Sequence, residues 1–335
     1  MRVGLTYDLR DDYRAMGFSE EATAEFDSRE TIDTLASTLE ELGFVVDRIG
    51  HVKALAARLV AGDRWDIVFN IAEGLHGRGR EAQVPALLEA WDQPFVLSDS
   101  VTCGVTLDKA LTKAICVAAG VPTTPHAVIR SPADVASVKL PFPLFVKPLA
   151  EGTGKGCEPA CKVNNQAELA AHGVALLERF RQPVIVEPFL PGREFTIGVL
   201  GTGAAAQTVA TMEVLLRDEA DAEIYTYRNK ENFKSLVSYQ LADDAPARQA
   251  AAVALAAHRA LECRDASRAD IRCAADGTPM FMEINPLPGI HPSHSDLPIL
   301  SRLAGISYAS LIARIMRSAL QRYGLTPPAE LARAA

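Results

Sequence analysis

The first third of the chain alternates short apolar runs with stretches of helical period. Residues 3–7, 44–49, 67–71 and 95–98 are apolar runs of strand length. Between the first two, Ile32, Leu35, Leu39 and Leu42 recur at helical spacing, Asp27-Ser28 offers an N-cap, and Gly43 offers a stop. This βαβ rhythm predicts a parallel sheet covered by helices, an α/β arrangement. Such sheets bind ligands beyond the carboxyl ends of their strands, so the loops after Tyr7 and Ile71 are candidate site loops.

A second unit starts near Lys109. Residues 107–119 read as a helix ended by Gly120-Val-Pro122, and strand runs follow at 144–147, 184–187 and 195–200. A glycine-rich turn, Glu151-Gly-Thr-Gly-Lys-Gly156, lies between the first two runs. The third unit holds a strand at 209–215, an alanine-rich helix over 244–261, strands at 268–273 and 280–284, and a helix over 308–322. The small, polar tail after Pro327 is expected to fray.

The most informative stretch is Ser267-Arg-Ala-Asp-Ile-Arg-Cys273, a turn at Asp276-Gly277, and Phe281-Met-Glu-Ile-Asn-Pro-Leu-Pro-Gly289. Alternation along a strand puts Arg268 and Asp270 on one face of the first strand, and Glu283 and Asn285 on one face of the second. Met282 and Ile284 then point into a core. Antiparallel pairing across the turn brings Asp270, Glu283 and Asn285 together as hard oxygen ligands, a set suited to Mg2+ (or Mn2+) on a nucleotide and not to zinc. A surface hairpin with solvated charges is the plain alternative. An amide beside two acids, an arginine beside the first acid and the immediate Pro-Leu-Pro-Gly turn argue against it.

Composition narrows the partners. With 335 residues, 48% hydrophobic, the chain can bury two or three cores. The net charge of −8 leaves no positive field for a nucleic acid, so small-molecule substrates are expected. The N-terminus lacks a signal-peptide pattern and no run reaches about 18 apolar residues. The expectation is a cytoplasmic protein with no membrane partner. Cys103, Cys116, Cys157, Cys161, Cys263 and Cys273 are scattered, as reduced thiols are, and Cys157 and Cys161 lack a second pair at zinc spacing. The glycine-rich turn is no P-loop: Leu149 stands where the first glycine belongs and Gly156 where a Ser or Thr belongs.

The segment Phe281 to Gly289 resembles the metal-binding strand and following turn of the D-alanine:D-alanine ligases, in the ATP-grasp superfamily. The likeness continues in order along the chain, through His76-Gly-Arg-Gly, Leu107-Asp-Lys109, Phe145-Val-Lys147-Pro, the 151–156 turn, Val186-Glu-Pro-Phe-Leu190, Gly192-Arg-Glu194-Phe195 and Gly305-Ile-Ser-Tyr308. It implies an ATP-grasp fold of three domains: an N-terminal α/β domain over 1–108, a central subdomain with a glycine-rich lid over 109–195, and a C-terminal subdomain over 196–325 with the metal and catalytic residues. A flexible tail, 326–335, follows. It also implies an ATP-dependent ligase that joins a carboxylate to an amine through an acyl phosphate, and a homodimer formed through the N-terminal domain.

By position, the resemblance assigns Lys109 and Lys147 to ATP phosphates and Lys230 to ATP, with Gly152 and Gly154 in the lid that covers the phosphates. Glu187 and Leu190 flank adenine, Glu194 takes the ribose, and Asp270, Glu283 and Asn285 take the metal. Arg268 and the Gly289 N–H face the oxyanion of the tetrahedral intermediate. Glu25 matches the substrate-binding glutamate of the N-terminal domain, His76 orients the donor carboxylate or bonds its own loop, and Ser295 lies near the acceptor carboxylate. The pattern breaks at Glu231, where the family has a tyrosine, and at its serine partner in the lid, here Thr153. Asp296 after Ser295 would repel a second carboxylate unless it points away or pairs, so an acceptor other than plain D-alanine is expected. A natural-product ligase with a larger or cationic acceptor, and a non-catalytic nucleotide-binding regulator, are the alternative readings.

Overall fold

A computed structural model describes the chain except residues 153, 222, 225, 227, 230, 231, 334 and 335, and gives only the backbone at 233 and 234. Thr153, Lys230 and Glu231 therefore lie outside the described residues.

Three sheets form in three successive stretches. The first is parallel, in the order β2-β1-β3-β4, with β1 Arg2–Thr6, β2 Val45–Gly50, β3 Ile67–Asn70 and β4 Phe95–Val96. Its strands match the apolar runs. The helix Arg29–Glu41 begins where Ser28 accepts from the Thr31 N–H, and Gly43 follows it at φ +88°. The expected helix over 107–119 is found as Lys109–Ala118, and extended Asp108, which separates it from a preceding helix Ser100–Leu107, caps it through Ala110 and Leu111. That break fixes where Lys109 points.

The second sheet is antiparallel, β5-β8-β6-β7, with β5 Ala127–Ile129, β6 Leu144–Pro148, β7 Lys162–Val163 and β8 Val184–Pro188. Leu144, Val146, Val184 and Val186 pack with Leu169 and Leu176 of the helix Gln166–Phe180. Alternation then turns Lys147 and Glu187 to the opposite face.

The third sheet, β11-β10-β9-β12-β13, is antiparallel as well: β9 Glu194–Leu200, β10 Gln207–Leu216, β11 Val237–Leu241, β12 Ala266–Cys273 and β13 Pro279–Asn285. Phe195, Ile197, Ala269, Ile271 and Ile284 pack against the small side of the helix Ala245–Ala260, whose Ala247, Ala250, Ala254 and Ala257 are fully buried. The opposite face carries Glu194, Arg268, Asp270, Glu283 and Asn285. Met282 departs from its expected core position. The register jumps from Asp270↔Glu283 to Ile271↔Phe281, which leaves Met282 without a partner, sends Phe281 into the core and turns Met282 toward the cleft.

The helix Tyr308–Tyr323 packs on the first sheet, with Leu311, Ile315 and Met316 in one cluster with Leu5, Leu35 and Phe69. The tail is more ordered than expected: a short helix, Ala329–Arg333, buries Leu331 in that cluster and accepts from Arg317 at 2.7 Å. Among the described residues no single helix is long and apolar enough to cross a membrane.

Candidate active site

Two cavities meet at the junction of the sheets. The smaller, about 80 Å3, lies between the polar faces of the second and third sheets and is lined by Lys147, Glu187, Leu190, Glu194, Asp270 and Met282 among others. The larger, about 520 Å3, lies between the first and third sheets and the loops of both. Lys109, Glu151 and Glu283 line both cavities.

Charge is concentrated at that junction. Lys147 Nζ is 3.2 Å and Lys109 Nζ 3.7 Å from the same Glu283 oxygen. Lys109 also donates to the Glu151 carbonyl at 2.6 Å. Burial works against the Lys147 charge, but Glu283 and Glu187 more than offset it and hold its pKa above the usual lysine range. Asp270 stands opposite Glu283 in the β12–β13 ladder, and Arg268 stands opposite Asn285. Asp270 is paired with Arg268 and accepts from Thr196 Oγ1 at 3.0 Å. The three expected ligands thus share one face of two adjacent strands.

Their chemistry fits magnesium: two carboxylates and an amide, all oxygen donors, too few for an all-protein cage and suited to a cation that arrives with phosphates. Among the described residues no three His, Cys, Asp or Glu side chains form a metal group, and the third donor here is an amide.

Deeper in the smaller cavity, Glu187 is almost fully buried. It pairs with Lys113 Nζ at 2.6 Å and accepts from Thr124 Oγ1 at 2.6 Å, while its second oxygen has no hydrogen-bond partner among the described residues. Burial would raise the Glu187 pKa, but Lys113 and then Lys147 bring it below the usual value. Lys113 escaped the sequence reading, although it sits four residues after Lys109 and so on the same helix face. Leu190 is buried at the cavity wall, and Glu194 is 3.2 Å from Arg272.

At the larger cavity, Arg268 Nε lies 3.8 Å from Asp296. Asp296 is therefore paired, which removes most of the like-charge objection to a carboxylate there. Gly289 lines the same cavity, and a Cβ at this position would meet Ser295 Oγ at 2.7 Å, so only glycine lets the turn approach that serine. Ser295 Oγ accepts from the His291 N–H at 3.0 Å.

Glu25 reaches across to the glycine-rich turn. It accepts from the Gly152 N–H at 2.7 Å, and lies 3.1 Å from Arg80 and 3.3 Å from Lys155. Burial opposes its ionisation, but Arg80, Lys155 and the Gly152 N–H together keep its pKa below the usual value. Gly154, at φ +74°, turns the chain back over the smaller cavity. His76 is not brought to this group: it is exposed, its carbonyl accepts from Gln83 and its ring lies beside Phe18.

Sequence reasoning missed a group of acids on the first-sheet side of the larger cavity, Asp27, Glu73 and Glu81. Burial, then neighbouring carboxylates, pushes Glu73 well above the usual range. Burial, only partly offset by Arg80, lifts Glu81 to about 7, and burial, partly offset by Arg10, lifts Asp27 to about 7. Only the general rule about loops beyond strand ends pointed there, since Glu73 follows β3.

Residues 115–317 match the family model described as "D-ala D-ala ligase C-terminus". A D-alanine–D-alanine ligase of Polaromonas naphthalenivorans is 35% identical over 257 residues, covering 73% of this chain and 76% of that protein. The chain belongs to the D-alanine–D-alanine ligase family. A second such ligase, from Bordetella petrii, is 34% identical, covering 80% of this chain and 79% of its own length. In three dimensions the chain is similar to D-alanine–D-alanine ligase from Bacillus anthracis, with TM-score 0.73 at 21% identity over 97% of this chain and 99% of that one. The same enzyme complexed with ATP gives 0.71. The fold is ATP-grasp. As a member of the D-alanine–D-alanine ligase family the chain is an ATP-dependent carboxylate–amine ligase, forming a C–N bond.

Proposed function

We propose that the larger cavity holds an amino acid donor and an amine acceptor, that the smaller holds ATP, and that phosphoryl transfer occurs where they meet. The observation that carries this reading is the convergence of Lys109 and Lys147 on Glu283 at the wall common to both cavities. A γ-phosphate at that wall would find positive charge from two buried lysines without a bound water shell.

In this scheme the donor carboxylate oxygen attacks the γ-phosphorus and the bond to ADP breaks, giving an acyl phosphate. The acceptor amine then attacks its carbonyl, loses a proton, and phosphate leaves. Asp270, Glu283 and Asn285 would hold Mg2+, which supplies charge neutralisation at the phosphates when bound. Lys109 and Lys147 position the phosphates, Arg268 and the Gly289 N–H steady the oxyanion, and the turn 151–156 excludes water. Glu187 presents an unpaired acceptor at the depth where an exocyclic amine of adenine would sit. Domain boundaries at 108, 195 and 325, a cytoplasmic location and a homodimer belong to the same proposal.

Hydroxylamine trapping tests the central step. ATP, Mg2+ and a donor amino acid should give a hydroxamate and ADP without any acceptor. ADP release with no hydroxamate from any amino acid would count against an acyl phosphate here.

A further inference from the structure

The larger cavity is charged unevenly. Toward the third sheet its carboxylates are answered: Glu283 by Lys109 and Lys147, and Asp296 by Arg268. Toward the first sheet Glu25 takes the nearby cations, and Asp27, held by the Thr31 side chain, Glu73 and Glu81 have no close cation among the described residues. Arg80 and Lys155 are engaged by Glu25 at 3.1 and 3.3 Å, and Lys155 is also 2.8 Å from Glu151. Arg10 borders Asp27, but its guanidinium donates to the backbone carbonyls of Phe26 and Ala24. Glu81 has Arg80 only at 4.0 Å. Glu73 is half-buried where it lines the cavity, and its carboxylate makes no hydrogen bond or ion pair among the described residues.

An enclosed carboxylate without a partner is costly, and several together are more so. A ligand cation with several N–H donors relieves that cost, whereas a methyl side chain does not. The held cation cannot be the attacking amine, because carboxylates around an amine stabilise its protonated form and withdraw the lone pair that must react. The group held there is thus one that keeps its charge throughout the reaction.

We infer that Asp27, Glu73 and Glu81 form a subsite for a non-reacting cationic group on the side chain of a substrate amino acid, so that this ligase takes a basic amino acid. The inference rests on reading the larger cavity as the amino acid site. The α-ammonium of any donor has the same chemistry, and the test separates the two sources.

ADP release is measured with matched substrates: ornithine against norvaline, lysine against norleucine, arginine against citrulline, each in both configurations, with alanine alongside. The basic member of a pair should exceed its neutral partner by about tenfold or more in kcat/KM. Glu73→Gln should raise KM for the basic substrate about tenfold while kcat changes less than about threefold, and Glu73→Asp should keep most of the preference. Asp27→Asn repeats the test if the Glu73 variant does not fold. Equal rates within every pair would overturn the inference and leave the acids to an α-ammonium, as would a preference that survives in both charge-removing variants. ADP release with no amino acid in the panel would instead overturn the substrate assignment of the cavity, and the inference with it.

Discussion

Arg268 pairs with Asp270, in the proposed metal-ligand set, and lies near Asp296, on the side proposed for the acceptor. Arg268→Ala should lower kcat by about a hundredfold or more, as loss of one oxyanion donor does, while KM for ATP moves far less. Steady-state kinetics checks this, and an unchanged kcat would remove Arg268 from the reaction. Lys113 and Glu187 behave differently, because both are buried and each needs the other. Lys113→Ala should cost about 3 to 5 kcal/mol in denaturant unfolding by leaving the Glu187 charge uncompensated. Replacing both residues with apolar ones of similar size should recover much of the loss. Residue types carried much of this into view beforehand: an amide and two acids at alternating positions could be read from the strand pattern. Glu73 could not, because its meaning depends on which cations its neighbours have already engaged.

At the scale of elements, the packing of the helix Ala245–Ala260 sets a pH dependence. His258 on that helix is fully buried, bonded to Ser267 Oγ at 2.7 Å and to the Gly201 carbonyl at 3.2 Å. Burial lowers its pKa from the ordinary 6.5 to about 4. The unfolded chain therefore takes up a proton below about pH 6.5 that the folded chain refuses. Stability from this group is complete above that pH and is lost as pH falls toward 4, by about 3 kcal/mol in all. Urea midpoints at pH 7 and pH 5 should differ less in His258→Gln than in the parent. Elements also mark where a linear pattern misleads. Alternation placed Met282 in the core, yet one unpaired residue in the ladder reverses it. That departure is a local hydrogen-bond choice that hydrophobic period does not encode, and it borders the site.

The whole molecule joins the ends of the chain. The helix Tyr308–Tyr323 and Leu331 complete the core of the first sheet, so residues far apart in sequence stabilise the loops that carry Asp27 and Glu73. Truncation after residue 325 should cost about 2 kcal/mol from Leu331 alone and lower the melting temperature. Such closure is invisible to a reading that treats each stretch by its own periodicity, which is why the tail reads as one that frays. The meeting of two cavities at Lys109, Glu151 and Glu283 is also a property of the assembled sheets. The direct test of that junction is calorimetric titration of ATP into the parent and into Glu283→Gln, each with and without Mg2+. The parent should bind ATP at least about tenfold more tightly with the metal, and the variant should lose most of that difference. An equal magnesium effect in both proteins would contradict a nucleotide–metal site built on β12 and β13.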